Sequence, residues 1–319
     1  MMTTALIPLI APALSVAIDL ILGDPPNRFH PVAWIGSGLM AARRRLPKTG
    51  RLIPLIAGAG LMAVGVGGAV GLGRLIDRGL AEIPQPIALV AEAIALKSLF
   101  SIRGLVLAAR SVAETLRRGD LIKARELAAW HLVGRSTAEL DGPRVAAATI
   151  ESVAENASDS VVAPLLFYAL AGLPGALAYR VINTADSVLG HRDPDREWLG
   201  KVPARLDDLA NLAPSRLTAL SFLLAAPSVG GRPARAFRIW WRDRGATASP
   251  NAGQPMSAVA GVLGVELEKV GFYRLGAGLR PPGVADIDRS VRLFRAMLLL
   301  VAVPLVGVRL WAGIWNLNP

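Results

Sequence analysis

Between Glu151 and Asn211 the chain sets the carboxylates Glu151, Glu155, Asp159, Asp186, Asp207 and Asp208 among amides, hydroxyls and arginines, in sequence apolar enough for a bilayer. An unpaired ion in low dielectric is costly, so residues of this kind kept beside membrane-like segments point to use. The first cluster reads Glu151-Ser152-x-x-Glu155-Asn156-x-x-Asp159. Residues four apart share a helical face, so the three acids form a drifting stripe that repels itself unless a cation sits among them. Magnesium suits such oxygen donors, taking one or two carboxylates plus substrate phosphates. The bland alternative is a solvated acidic face ahead of a membrane segment.

A second cluster, Asn183-Thr184-x-Asp186-Ser187-x-x-Gly190-His191, begins where an apolar run ends. Asn183, Thr184 or Asp186 could cap a helix, although a cap needs one such residue and several occur together. The third is Arg205-Leu206-Asp207-Asp208-Leu209-x-Asn211. Its paired aspartates can approach a metal or a metal-bound phosphate, with Arg205 available for a phosphate oxygen. An acid-rich helix N-terminus would look the same. The fourth, Ser249-Pro250-Asn251-Ala252-Gly253-Gln254-Pro255, is a fixed loop that could aim backbone N–H groups at an anion or be an ordinary turn. Arg135-Ser136-Thr137 and His30-Pro31 are weaker signals. No Walker-type phosphate loop, G-x-S-x-G or H-E-x-x-H is present, so any use of ATP relies on another cradle.

The elements that must hold these groups are membrane helices. Hydrophobic residues make up 53% and charged residues 18%, below the roughly 25% of soluble domains. The net charge of +11 comes almost wholly from arginine, clustered at Arg43 to Arg45 and Arg232 to Arg244 beside apolar segments. That is the look of cytoplasmic flanks of membrane helices, and no nucleic-acid motif accompanies the charge. With no cysteine, disulfides, thiolate chemistry and cysteine-ligated metals are excluded, and the scatter of His30, His131 and His191 argues against a His-rich zinc site.

Apolar segments run over Thr4–Leu22, Leu52–Gly73, Ile87–Ala109, Val161–Tyr179, Leu212–Gly231 and Ala296–Trp315. The first lacks the positive flank of a signal peptide and reads as a retained helix. The second is uncharged over about 20 residues, with Gly58, Gly65 and Gly68 offering close approach to another helix. Ile87–Ala109 carries Glu92, Lys97 and Arg103, so it spans, lines a cavity or lies amphipathic. Pro164, Gly172, Pro174 and Gly175 make Val161–Tyr179 either a kinked span or a re-entrant hairpin, the latter keeping the polar clusters together. The expectation is an all-α, polytopic integral membrane protein with four to six membrane segments, forming one integrated domain over 1–319 whose cytoplasm-facing polar loops form the site.

In order and spacing, these clusters resemble the adenosylcobinamide-phosphate synthase (CobD/CbiB) family of cobalamin biosynthesis. The likeness runs from Asp19-Leu20-Ile21-Leu22-Gly23-Asp24-Pro25 and His30-Pro31 through the Glu151–Asn156 run, Ala163-Pro164 and Tyr179-Arg180. It continues through Asn183-Thr184-x-Asp186-Ser187, Gly190, Ala204 to Asp208 and Ser249 to Gly253. Three positions depart: Ser136 where the family usually has aspartate, Val188 where methionine is common, and Gln254 where tryptophan is usual.

The resemblance implies a multi-pass ligase of the bacterial cytoplasmic membrane. It would join adenosylcobyric acid to (R)-1-amino-2-propanol phosphate, or a related amino-alcohol phosphate, with ATP as co-substrate and Mg²⁺. Other membrane enzymes of cobalamin biosynthesis are candidate partners. Glu151, Glu155, Asp186 and Asp207 are the expected catalytic residues, with Glu155, Asp186, Asp207 and Asp208 as metal ligands. Arg135, Asn156, Arg180, Asn183, Thr184, Ser187, Arg205, Ser249 and Asn251 are the expected substrate and phosphate contacts. The rival readings are a membrane regulatory protein similar to AmpE and a transporter, which would more naturally show internal repeats.

Overall fold

In the computed structural model, residues 7–47, 49–131, 137–190 and 197–316 are described. The chain forms two compact units, Met1–Ile102 with Ala163–Asn211 and Leu305–Pro319, and Arg103–Val162 with Leu212–Pro304. Among the described residues, four stretches are long and apolar enough to cross a membrane: Leu52–Ala81, Gly142–Leu189, Leu212–Val229 and Val284–Trp311. With almost no sheet among the described residues, this is the all-α polytopic membrane architecture that the sequence predicts.

The first unit contains α1 (Ile7–Leu22), α2 (Pro31–Arg45), α3 (Leu52–Ala81) and α4 (Gln85–Lys97). At 30 residues, α3 is about 45 Å long, enough to cross a bilayer, and it leaves Leu52, Ile53, Ile56, Val64, Leu72 and Leu75 exposed as a lipid-facing surface. Its opposite face packs on Ala163–Leu189, with Leu39, Met62, Ala69, Val181 and Ala185 forming a buried core. Close approach explains two of its glycines. A Cβ on Gly58 would enter the Leu199 carbonyl, and one on Gly73 would lie 2.5 Å from Pro174 Cα. Gly68, expected on that contact face, has open space beside it.

Ala163–Leu189 is not one straight helix. Ala171 (φ −140°, ψ 18°) and Gly172 (φ 65°, ψ −158°) leave helical geometry, the latter in a region open chiefly to glycine. The chain turns back there, because the Phe167 and Tyr179 rings stack at 5.0 Å. Twelve residues along a straight helix would hold them about 18 Å apart. The proline- and glycine-interrupted segment is therefore a hairpin rather than a kinked span. Its second arm leads into Lys201–Ala210, which packs against it and against α3.

The second unit contains α5 (Ile102–Arg117, whose first residue belongs to the first unit), α6 (Leu121–His131) and α7 (Gly142–Asn156). The polar stretch after Ala109 breaks where expected. Gly119 takes φ 79°, and Asp120 Oδ1 accepts from Lys123 N at 2.9 Å to start α6. Ile87–Ala109 does not span as one element, because α4 and α5 are separate helices of 13 and 16 residues. Following α7 comes a π-helical turn, Ala157–Val162. Pro164 cannot donate to the preceding turn, and a widened turn just before it absorbs that loss.

In chain order the remaining helices are α8 (Ala163–Leu189), α9 (Lys201–Ala210), α10 (Leu212–Ala225), α11 (Pro233–Asp243), α12 (Gly253–Leu263) and α13 (Val284–Asn316). Every residue of α12 is buried, as an uncharged helix requires, and α7, α10 and α11 surround it. Trp240 Nε1 donates to Gln254 Oε1 at 3.1 Å, so the amide at this unusual position is satisfied inside the core. A short antiparallel ribbon, β1 (Leu267–Lys269) and β2 (Tyr273–Leu275), pairs Leu267 with Leu275 and lies against α7.

Candidate functional site

In the first unit the second and third sequence clusters converge. The second arm of the hairpin carries Arg180, Asn183, Thr184, Asp186 and Ser187 in the helix interior, so none of them is an N-cap. Arg180 Nη1 donates to Asn183 Oδ1 at 3.2 Å, and Asn183 Nδ2 donates to Asp207 Oδ1 at 3.2 Å. One amide thus relays between a buried guanidinium and a carboxylate on the neighbouring helix. A second link joins Tyr179 Oη to Asn211 Oδ1 at 2.9 Å, just past the end of α9.

Asp207 and Asp208 sit in the last turn of α9, not the first. The helix dipole disfavours negative charge there, which removes the acid-rich N-terminus as an explanation. Burial raises the Asp207 carboxyl above the usual carboxylate range; hydrogen bonds from Asn183 and Asn211 oppose this, and the Asp208 charge reinforces it. Arg205 Nη1 lies 3.6 Å from Asp208 Oδ2 on an exposed surface. Gly190 N donates to Asp186 O at 2.7 Å, and any Cβ on Gly190 would strike the Asp186 carboxylate, so this glycine makes room for that side chain.

Thr184 Oγ1 donates to Arg180 O at 2.7 Å and Ser187 Oγ to Asn183 O at 3.0 Å. With their protons committed to the helix, these hydroxyls present acceptor lone pairs, which suit a cation or an ammonium better than a phosphate oxygen.

In the second unit, Glu151 is buried and Glu155 exposed, while Asp159 falls in the π-turn. Glu151 and Glu155 keep their four-residue spacing within α7, and the wider turn that begins at Ala157 changes the angular step only for Asp159. Glu151, at 6% exposure, is no solvated surface acid. Asn156 is turned on its own helix: Nδ2 donates to Ser152 O at 3.0 Å and Ser152 Oγ at 3.1 Å, and Oδ1 accepts from Ser160 Oγ at 2.8 Å. The fourth cluster forms the turn into α12. Ser249 Oγ accepts from Asn251 N at 3.2 Å, and Asn251 Oδ1 accepts from Ser215 Oγ at 3.2 Å and Arg216 Nη1 at 3.1 Å. Arg135 and His191 lie outside the described residues.

Several polar residues were not singled out by spacing. Lys97 Nζ reaches Asp24 Oδ1 at 2.5 Å and Asp19 Oδ1 at 3.3 Å, while Asp19 Oδ2 accepts from Ile102 N at 3.1 Å and starts α5. Ser101 Oγ also donates to Asp24, and His30 Nε2 lies 3.8 Å from it. Burial alone would raise the Asp24 carboxyl, but hydrogen bonds from His30, Lys97 and Ser101 and the Lys97 charge hold it well below the ordinary range. The clue was Lys97 itself, a lone cation in an apolar run. Arg216 gave the same clue inside Leu212–Gly231.

Among the described residues no three or more His, Cys, Asp or Glu side chains converge as a metal cage. Asp207 and Asp208 are adjacent hard oxygen donors, of the type that magnesium takes one or two at a time.

The family model for the CobD/CbiB protein matches residues 12–294. The chain is 43% identical over 303 residues to "Cobalamin biosynthesis protein CobD" of Dehalococcoides mccartyi, covering 94% of this chain and 97% of that one. It is 37% identical over 300 residues to "Probable cobalamin biosynthesis protein CobD" of Methanothermobacter thermautotrophicus, covering 93% and 96%. With "Cobalamin biosynthesis protein CobD" of Klebsiella pneumoniae the figures are 35% over 316 residues, covering 95% and 98%. No solved structure matches.

Proposed function

The chain belongs to the CobD/CbiB family, and from that premise we propose that it is an ATP-dependent amide ligase of cobalamin biosynthesis. Its substrates would be adenosylcobyric acid and (R)-1-amino-2-propanol phosphate or a related amino-alcohol phosphate, at the cytoplasmic membrane of a bacterium. The observation that carries this reading is 43% identity, over 94% of the chain, to a protein named for cobalamin biosynthesis. The acid–amide–guanidinium network adds chemical support.

A carboxylate is a poor acyl donor because oxide would have to leave. In the proposed reaction a substrate carboxylate oxygen attacks the γ-phosphorus of ATP, the bond to ADP breaks, and an acyl phosphate forms. The amine nitrogen then attacks the acyl carbon and phosphate departs. A carboxylate takes the surplus amine proton, and Asp207 suits that task because burial raises its pKa towards working pH. Magnesium, when bound, would neutralise phosphate charge, with Asp186 and Asp208 as its proposed protein ligands. Arg180, held by Asn183, and exposed Arg205 are proposed phosphate contacts, since this chemistry rests on positioning and electrostatics. Glu151, Glu155, Asn156, Ser249 and Asn251 are further residues proposed to take part in the reaction.

The test is reconstitution in lipid nanodiscs with ATP, Mg²⁺, adenosylcobyric acid and the amino-alcohol phosphate. Mass spectrometry should detect the amide product together with ADP and phosphate. A folded sample that forms no product from authentic substrates would overturn the reading in favour of a regulatory protein.

A further inference from the structure

Arg216 is the sole charged residue of α10, and its guanidinium is fixed by one end only. Nη1 donates to Leu212 O at 2.9 Å, Ser215 Oγ at 3.2 Å and Asn251 Oδ1 at 3.1 Å. Asn251 is 4% exposed and Ser215 1%, so the anchoring atoms belong to rigid, buried side chains. Among the described residues Arg216 has no carboxylate partner, and its Nε and Nη2 make no hydrogen bond.

Those two nitrogens form one edge of a planar ion, with parallel N–H donors that match two oxygens of a phosphate. A half-buried, permanently charged group without a counter-ion is electrostatically incomplete. Pinning Nη1 also removes most of the rotamer entropy that a free arginine would lose on binding.

We propose that Arg216, oriented by Asn251 and Ser215, is a bidentate receptor for the phosphate group of a substrate. This deepens the ligase reading and rests on it for whether that phosphate belongs to ATP or to the amino-alcohol ester. The existence of the anion site does not depend on that reading.

The full chain in nanodiscs is compared with Arg216→Ala and Arg216→Lys, the lysine keeping the charge but losing the fork. Inorganic phosphate should raise the thermal midpoint of the wild type and leave that of Arg216→Ala unchanged. Arg216→Ala should raise KM about 10- to 100-fold for one phosphate-bearing substrate, and Arg216→Lys should fall between. A rise confined to ATP assigns the site to the nucleotide; a rise confined to the amino-alcohol phosphate assigns it to the amine substrate. Unchanged phosphate stabilisation and both KM values within about twofold of wild type would overturn the proposal, even while product still forms. Should Arg216→Ala fail to fold, Arg216→Lys decides by the same two readouts. Loss of phosphate stabilisation in the variants of a protein that makes no product would keep the anion site and defeat the ligase reading.

Discussion

Two acid-rich places in the first unit look alike in composition and differ in how their charge is answered. At Asp19 and Asp24 the carboxylates meet a buried lysine, two hydroxyl or imidazole partners and a backbone N–H. At Asp207 the carboxylate meets amides, with a second aspartate beside it, at the helix end where the dipole is unfavourable. The first arrangement satisfies its ions and serves the fold. The second answers its charge with amides alone, and the proposed base role of Asp207 rests on that contrast.

The comparison breaks most sharply by exchanging the roles of stability and turnover. Asp207→Asn should lower the ligase rate about 10²- to 10⁴-fold while the protein stays inserted and monodisperse. Its thermal midpoint at pH 7 should be unchanged or higher. The folded protein holds the Asp207 proton more tightly than the unfolded chain does, so the stability tied to that proton is lost as pH rises through the folded value. Ionised Asp207 therefore costs stability at neutral pH, and the neutral amide removes that cost. Near-normal turnover of this variant would end the proposed base role.

Lys97→Ala should do the reverse, destabilising by about 3–5 kcal/mol because two carboxylates lose their cation in a buried setting. Chemical denaturation in detergent measures this, and a loss below about 1 kcal/mol would mean that the cluster is not structural.

The two carboxylates should also titrate on opposite sides of the ordinary aspartate value near 3.9. Stability due to Asp24 is complete above that value and drains away as pH falls towards its lower folded pKa. Activity limited by Asp207 should fall at a pH above it, since the base must be ionised. A pH–rate profile and a pH–stability profile of one preparation distinguish them, and coincident acid limbs would erase the contrast.

The smallest effect is expected at Arg205→Ala. Its ion pair with Asp208 is 3.6 Å long and solvent-exposed, so stability should change by no more than about 1 kcal/mol. A rise in KM for a phosphate-bearing substrate at constant stability would place Arg205 with the reacting groups; unchanged KM would leave it a surface residue.

Much of this was legible in the chain because local rules govern it. Gly119-Asp120 ended one helix and began the next through a glycine turn and an aspartate cap, both readable within a few residues. The uncharged run from Leu52 became a lipid-facing helix because bilayer thickness sets its length. The four-residue spacing of Glu151, Glu155 and Asp159 holds for the first two inside α7, whereas the third sits in a π-turn that no local pattern announced.

By itself, then, the sequence determined the membrane class, the helical content and the residue types available for phosphate and metal chemistry, since these follow from hydropathy, period and side-chain chemistry. Only the tertiary structure decided which acids are matched by cations. Lys97 stands 73 residues from Asp24, and Asn183 stands 24 from Asp207. No period or propensity encodes such separations; they are fixed when helices pack. The same packing folded the apolar hairpin back on itself and turned Gln254 into a buried acceptor for Trp240. Among the described residues it also left Arg216 with one edge occupied and the other open.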